Sequence, residues 1–370
     1  MSARSPLSIY IHIPFCLSKC AYCDFASYPG REDAWEAYFD ALCGEIRASG
    51  DAEHRVETVF FGGGTPSLVP ARLIGAALEA VRSAFCLSPD AEISLEANPG
   101  TLRPQGLCAS REMGVNRLSI GVQSFDARLL RAIGRVHSPE QAVEAVRMAR
   151  EAGFDNVSID LMYGLPGQTM QVWTDTLEEA VALGVEHVSA YALIVEEGTP
   201  IAARVGELPG EEETLAMQRA ATRALADAGL IRYEISNYAR PGRACRHNLV
   251  YWRRGEYLGF GCAAHSFFGG ARFYNPSGLD AYLAGGRAEG REAVGAREAR
   301  EEALLLSTRM CEGLSLAGWR AEFAEDFLAG REARVRRLVE AGLARLEGGA
   351  LRLTECGMEV QSAVVLELVD

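Results

Sequence analysis

Three cysteines near the amino terminus have the spacing of a metal-cluster site. Cys16, Cys20 and Cys23 stand as CxxxCxxC within eight residues. Thiolates are soft ligands, and three of them on one short loop can converge on one metal centre. A structural zinc site needs four ligands, usually from two separated pairs, and the sequence has no second CxxC pair. A [4Fe–4S] cluster held by three thiolates would keep one iron open for a substrate or cofactor, so the spacing favours iron–sulfur over zinc or core packing.

The cysteines follow a predicted strand, from Leu7 to Ile13. Ile9, Ile11 and Ile13 share one face of it, while Tyr10 and His12 share the other. Pro14 ends the strand because proline supplies no donor to a sheet. The three thiols are therefore predicted on the loop at the carboxyl end of the first strand.

Strands and helices then alternate as far as residue 229, which predicts an α/β fold with parallel strands and right-handed crossovers. The six predicted strands are Leu7–Ile13, Val56–Phe61, Glu92–Glu96, Val115–Val122, Val157–Met162 and His187–Ile194. The predicted helices are Asp33–Ala48, Pro70–Phe85, Pro139–Ala152, Met170–Leu183 and Glu211–Ala228. Six units are too few for an eight-fold barrel, so we expect a partial, open (β/α)6 barrel.

Polar residues mark the carboxyl ends of these strands, where chemistry collects in such folds. Period-two alternation turns Glu96, Gln123, Asp160 and Tyr191 towards one cavity, although each alone could be a solvated strand end. Strand two ends in Gly62-Gly63-Gly64-Thr65-Pro66, whose backbone a ligand can approach closely. This loop matches neither GxxxxGK[ST] nor GxGxxG, so it is a weak phosphate-loop signal, and a plain tight turn is the alternative.

The cysteine motif, preceded by IHIPFC and containing YCDF, resembles the signature of the radical S-adenosylmethionine (radical SAM) superfamily. It is most similar to the branch that contains oxygen-independent coproporphyrinogen III oxidases and related heme chaperones. The oxidases tend to carry a fourth cysteine where this chain has Phe25, which favours the chaperone side of the branch. The resemblance implies a [4Fe–4S] cluster on Cys16, Cys20 and Cys23, with S-adenosylmethionine (SAM) on the open iron.

The same resemblance implies roles for further positions between residues 8 and 195. Tyr22 is expected to cover the cluster. The positions that match SAM contacts are Tyr10, Gly63, Gly64, Thr65, Glu96, Gln123, Arg135 and Asp160. An exposed surface arginine is the alternative for Arg135, whereas a fixed guanidinium there could pair a carboxylate.

A second motif lies between residues 233 and 275. His247-Asn248-Leu249-Val250-Tyr251-Trp252 resembles the HNxxYW element associated with heme in this branch, and histidine and cysteine are both axial heme ligands. His247 is thus the expected heme ligand, with Cys245 and His265 as less certain ones. A packed, hydrogen-bonded histidine is the ordinary alternative. Near His265, Ala263 stands where relatives often carry glycine.

We expect three parts in the chain: a radical SAM partial barrel at 1–230, an extension with the HNxxYW motif at 231–285, and a small α+β domain at 296–370. The last part is predicted to be winged-helix-like. It has three helices, Arg297–Cys311, Leu316–Phe327 and Arg331–Ala341, and a hairpin at Ala344–Leu353 that turns at Gly348-Gly349.

The amino-acid composition limits the classes of partner that the chain is expected to bind. Fifty acidic residues against 37 basic ones give a net charge of −13, which argues against nucleic acid or an anionic membrane as the main partner. No apolar run approaches the ~20 residues of a membrane span. The short, polar stretch Met1–Pro6 does not read as a signal peptide, so we expect the ten cysteines to be mostly thiols in the cytoplasm.

Three functions remain open at this stage. The first is a heme chaperone that binds a [4Fe–4S] cluster, SAM and heme and delivers heme to heme-requiring proteins, as a monomer or a homodimer. The second is an active radical SAM oxidoreductase on a porphyrinogen, with coproporphyrinogen oxidation disfavoured by Phe25. The third is a binding module that keeps the barrel as a relic. No catalytic residue is assigned.

Overall fold

The computed structural model describes residues 5–286 and 288–369. Residues 1–4, which belong to the polar amino-terminal stretch and open the first predicted part, lie outside this range. So does residue 370, which ends the last part. The strands are β1 (Ser5–Ile13), β2 (Phe15–Cys16), β3 (Tyr28–Pro29), β4 (Asp51–Gly63), β5 (Phe85–Ala97), β6 (Arg117–Gln123), β7 (Val157–Tyr163), β8 (His187–Ala192), β9 (Ile231–Glu234), β10 (Asn237–Ala239), β11 (Tyr257–Phe260), β12 (His265–Phe268), β13 (Ala271–Tyr274), β14 (Glu289–Ala293), β15 (Leu314–Ser315), β16 (Ala344–Glu347) and β17 (Ala350–Leu353).

The helices lie between and after these strands. They are α1 (Trp35–Ala48), α2 (Ala71–Ala84), α3 (Pro104–Glu112), α4 (Ala127–Ala132), α5 (Pro139–Glu151), α6 (Met170–Ala182), α7 (Glu211–Asp227), α8 (Arg246–Trp252), α9 (Leu279–Leu283), α10 (Ala296–Arg309), α11 (Leu316–Phe323), α12 (Glu332–Glu340), α13 (Glu355–Glu359) and α14 (Gln361–Leu368). None of the described helices is long and apolar enough to cross a membrane.

One twelve-stranded sheet organises the chain, in the order β14-β13-β12-β11-β1-β4-β5-β6-β7-β8-β10-β9. The six predicted strands lie consecutively in it and pair in parallel. The α/β class is therefore confirmed. Ile9, Ile11 and Ile13 are fully buried on the helix-covered face of β1, as the period-two pattern predicted.

The sheet continues beyond these six strands on both sides. β11 pairs in parallel with β1, and β12, β13 and β14 follow it as antiparallel strands. On the other side, β10 pairs antiparallel with β8, and β9 pairs antiparallel with β10. Residues 231–285 thus contribute strands to the same sheet, and the three-part division of the chain stays a prediction.

A second hydrophobic core lies in the carboxyl-terminal residues, built around Trp319, Phe327, Leu338 and Leu351. The hairpin of β16 and β17 forms at Gly348-Gly349 as predicted, with β15 added beside β17. Helix α11 ends four residues before the predicted end, because Ala324 turns into the left-handed region at φ 55°. The sequence patterns also missed α13 and α14, which complete this core.

Candidate cluster and cofactor site

The cysteine loop is held at both ends by backbone pairing. Phe15 and Cys16 pair with Tyr28 and Pro29 as two short parallel strands. On the neighbouring strand, the Gly64 N–H donates to Ile13 at 2.8 Å. A Cβ on Gly64 would lie 2.6 Å from the Phe15 carbonyl oxygen, so only glycine allows this close approach. The loop is therefore fixed against the glycine-rich end of β4.

The three predicted ligand thiols lie on this loop. Cys16 is buried, whereas Cys20 and Cys23 are partly exposed. The Cys16 Sγ lies 3.6 Å from the Thr65 hydroxyl oxygen, and Arg135 donates through Nη1 to the Cys20 Sγ at 3.5 Å. Burial raises the pKa of the Cys16 and Cys23 thiols, and the other thiols of the loop add to the shift.

No three Cys, His, Asp or Glu side chains among residues 5–286 and 288–369 already surround a point that could hold a single ion. A [4Fe–4S] cluster distributes its thiolates over separate irons, so its ligands do not have to meet at one point.

We call the carboxyl ends of β1 and β4–β8, together with the cysteine loop, the mouth. The predicted polar ring is present there. Glu96 accepts a hydrogen bond from the Gly63 N–H at 3.0 Å, and Tyr191 donates to the Gln123 side chain at 3.1 Å. Gln123 has φ 67°, an uncommon value outside glycine that occurs often at functional sites.

Two half-buried carboxyl groups lie in the mouth. Burial, together with the charge of the nearby Asp160, raises the pKa of Glu96 to about 8. Burial also raises the pKa of Asp160, whose carboxylate accepts from the Ser119 hydroxyl at 3.3 Å. Two acids that resist ionisation together favour a cationic ligand, because positive charge nearby would offset both penalties.

Arg135 sits beside these groups. It follows α4 and donates to the Gly121 carbonyl oxygen and the Asn98 side-chain oxygen. Its Nε, like Nδ1 of His137, is buried without a hydrogen-bond partner among the described residues. A buried N–H donor without an acceptor, such as Arg135 Nε, is rare in folded proteins and indicates that a further acceptor is expected here. His137 Nδ1 is instead an acceptor, because Nε2 of that ring donates to the Val122 carbonyl oxygen.

The two tyrosines occupy different depths. Tyr22 lies close enough to Arg135 and Cys20 for their charges to act on it, and burial raises its pKa. Tyr10 lies deeper, on the inner face of β1, where its ring stacks on Phe60 at 6.3 Å between centroids. Its hydroxyl lies 3.0 Å from Nδ1 of His12. Tyr22 thus lies on the cysteine loop, while Tyr10 lines the interior below it.

The site fits the implied groups. The thiols are of the kind that would hold a cluster. The glycine edge at Gly63 and Gly64, the unpartnered guanidinium nitrogen and the paired acids are groups that would suit contacts with SAM. SAM carries an ammonium and a sulfonium beside its carboxylate, so it presents both charges that these groups can receive.

The second motif closes the opposite end of the strands. We call α8, together with the side chains that it contacts on β1, β4 and β5, the floor. His247 is buried, with 1% of its surface exposed, and its ring stacks on Phe60 at 5.1 Å between centroids. Nδ1 lies 2.7 Å from the Thr58 hydroxyl, and Nε2 lies 2.9 Å from the Tyr251 hydroxyl.

Glu92 accepts hydrogen bonds from three groups of the floor. Its carboxylate accepts from the backbone N–H groups of Arg246 and His247, both at 3.1 Å, and from the Cys245 thiol at 3.6 Å. Burial raises the pKa of Cys245 to about 12, so its sulfur stays a thiol. His265 lies elsewhere, exposed on β12 with its ring 5.2 Å from that of Tyr274. The structure brings Cys245 and His247 together and separates His265 from them.

Sequence reasoning missed several residues of the interior. Glu92 and Arg117 have the same strand parity as Glu96 and Gln123, so the alternation that found the ring could have found them. Arg117 is fully buried, and both Glu92 and Asp160 act on its charge. Thr58 and Asn98 carry no comparable signal, because a single neutral polar residue at a strand position is ordinary.

Comparison with known proteins adds to this geometry. The model of the Radical SAM superfamily matches residues 10–180, and that of the HemN C-terminal domain matches residues 295–360. The heme chaperone HemW of Mycobacterium tuberculosis is 39% identical, covering 98% of this chain and 95% of the relative. The heme chaperone HemW of Escherichia coli is 40% identical over 70% of each chain. The solved structure of coproporphyrinogen III oxidase (HemN) from Escherichia coli has a TM-score of 0.86 at 25% identity, covering 99% of this chain and 90% of that one.

Proposed function

The chain belongs to the radical SAM superfamily, in the family of the heme chaperone HemW, and we propose that it binds heme and delivers it to heme-requiring proteins. The observation that carries the proposal is the pairing of two separate sites on one sheet. One is a three-thiol mouth beside a glycine edge. The other is a histidine floor built from the HNxxYW motif.

At the mouth, we propose that Cys16, Cys20 and Cys23 hold a [4Fe–4S] cluster. The cluster, when bound, supplies an iron with an open position. Thr65 and Arg135 contact two of the sulfurs from the protein side, so they would orient the ligands and partly offset their negative charge.

We assign the SAM contacts to residues around this cluster. Gly63 and Gly64 would present backbone to the methionine end, and Thr65 flanks them. Glu96 and Asp160 would receive the positive groups, while Arg135 has an unpartnered Nε for a carboxylate. Gln123 would contact the ribose part, and Tyr10 would line the pocket from below.

At the floor, His247 remains the proposed heme ligand. Burial lowers its pKa to about 3, so the imidazole is neutral, which is the form that binds iron. Thr58 donates its own proton to Ser8 at 2.8 Å, so the ring proton lies on Nδ1 and Nε2 accepts from Tyr251. Ligation through Nε2 therefore requires Tyr251 to move aside and α8 to open. Cys245 and His265 stay as weaker candidates, because one is a buried thiol and the other is remote from the floor.

The test is anaerobic reconstitution with iron and sulfide, followed by separate additions of heme and SAM. Heme absorbance, release of 5′-deoxyadenosine and turnover of coproporphyrinogen III are measured on the same sample. Tight heme binding without a decarboxylated porphyrin supports the chaperone. Decarboxylated product without stable heme binding supports the oxidase, and a folded protein that takes up no cluster supports the relic binding module.

His247→Ala tests the floor against the matched variant His265→Ala. We expect His247→Ala to weaken heme binding while the iron content stays at the wild-type level. His265→Ala should leave both unchanged. Heme affinity that is equal in wild type and His247→Ala would remove His247 from the proposal.

Three finer points belong to the same proposal. We place the chain in a reducing compartment such as the cytoplasm, because all ten cysteines are free thiols. The recipients are heme-requiring proteins, and the assembly is a monomer or a homodimer. The parts at 1–230, 231–285 and 296–370 remain our proposed division.

A further inference from the structure

The cysteine loop contains the only lysine of the chain. The sequence has 37 basic residues, and every one except Lys19 is arginine. Lys19 stands between Cys16 and Cys20. Lysine differs from arginine in carrying a compact point charge with three rotatable donors on an unbranched stem.

The lysine connects the two arms of the loop. Its Nζ donates to the Phe25 carbonyl oxygen at 3.1 Å, while the side chain itself is exposed. One arm carries Cys16 and Cys20, and the other runs from Cys23 to Phe25. The Cys23 N–H also donates to the Cys20 carbonyl oxygen at 3.2 Å. The hydrogen bond from Lys19 is therefore a second link between the two arms of the loop.

A second cation lies on the opposite side of the thiols. Arg135 approaches the Cys20 Sγ from the interior at 3.5 Å, whereas Lys19 lies on the solvent side. A cluster gains one negative charge on reduction, and nearby positive charge lowers the cost of that step.

We propose that Lys19 is a positioning residue that ties the two arms of the cysteine loop together and holds a positive charge beside the cluster, so that it raises the reduction potential. The proposal rests on the proposed function, since it needs the cluster on Cys16, Cys20 and Cys23.

The test compares Lys19→Gln and Lys19→Arg with Arg47→Gln, a control on the exposed surface of α1 that removes the same charge. Iron and sulfide per chain and the midpoint potential of the cluster are measured, the latter by an anaerobic titration followed by electron paramagnetic resonance. We expect a lower potential for Lys19→Gln, a value near wild type for Lys19→Arg, and no change for Arg47→Gln.

Two results overturn the proposal alone: a wild-type potential in Lys19→Gln, or equal shifts in Lys19→Gln and Lys19→Arg. Wild-type protein that takes up no cluster overturns the proposed function as well. If Lys19→Gln takes up no iron, the proposal is tested on wild-type protein instead. An amine-directed reagent can modify no lysine other than Lys19, so the rate of this modification reports on Lys19 alone. We expect slower modification of Lys19 in cluster-loaded than in cluster-free protein, measured by peptide mass; equal rates contradict the proposal.

Discussion

The mouth and the floor of the sheet are both polar, yet they differ in how their polar groups are satisfied. At the mouth, Arg135 and His137 keep buried nitrogens without partners, and Glu96 has a raised pKa. At the floor, both ring nitrogens of His247 are bonded, and Glu92 accepts three hydrogen bonds. The mouth is therefore prepared for a ligand, whereas the His247 ring at the floor already has both of its hydrogen bonds.

This difference separates two ways of binding. A ligand at the mouth gains contacts that the protein leaves open, and only a small rearrangement is needed. A ligand at His247 must replace contacts that already stabilise the fold, which costs free energy but makes release easy to control. A protein that has to hand its cargo on benefits from the second arrangement.

The largest effect is expected at the mouth, from Cys20→Ser. Serine oxygen is a poor ligand for iron–sulfur clusters, so the variant should contain almost no cluster iron after reconstitution. Cys108→Ser is the matched control, because that thiol is exposed on α3. Iron and sulfide analysis measures both. A normal iron content in Cys20→Ser would refute the three-cysteine site.

At the floor, Glu92→Ala should be the most damaging change. It leaves two helix N–H groups without their acceptor and removes the carboxylate whose charge acts on the buried Arg117. Removing one partner of a buried pair of opposite charges costs about 3–5 kcal/mol. Hydrogen exchange of the α8 amides should become much faster, with cluster content retained. Unchanged exchange in α8 would show that the floor does not depend on this carboxylate.

Much of this arrangement follows from the sequence, because period-two patterns report strand faces directly. The pattern placed Ile11 and Glu96 on the correct sides of the sheet. The satisfied state of His247 could not be predicted, since its partner Thr58 is distant in sequence. β11 was missed because a four-residue strand is too short to show alternation. Ala263 has φ 58°, a backbone conformation that favours glycine, which explains why relatives often carry glycine at this position.

The two ends should respond to pH with opposite signs. Glu96 holds its proton in the fold up to about pH 8 and releases it near 4.5 when unfolded, so its contribution to stability falls as pH rises through that window. His247 takes up a proton near 6.5 when unfolded but only near 3 in the fold, so its contribution falls as pH drops below 6.5.

The Glu96→Gln variant measures how much of the pH dependence of stability comes from Glu96 in the mouth. Between pH 6.5 and 8, the stability advantage of wild type over the variant should fall by about 1 kcal/mol per pH unit, the value for one proton. Urea-unfolding midpoints of cluster-free protein at four pH values measure it. Glu112→Gln is the exposed control on α3 and should follow wild type. Parallel profiles for wild type and Glu96→Gln would mean that Glu96 is ionised throughout.

The smallest effect is expected from Phe25→Ala, on the outer side of the cysteine loop. The ring is 67% exposed, so its removal should change the free energy of unfolding by no more than about 0.5 kcal/mol. Phe60→Ala is the matched change between mouth and floor, where the ring stacks on Tyr10 and His247. Loss of a buried phenylalanine costs about 3–5 kcal/mol.

Urea unfolding of the cluster-free variants compares the two losses directly. Equal losses would mean that the Phe25 ring packs against the loop, and the mouth would then be less open than we describe. A large loss for Phe60→Ala alone would confirm that stabilising contacts concentrate towards the floor. Because Phe25 then contributes little to stability, its large exposed ring would be available for contact with a ligand or a partner at the mouth.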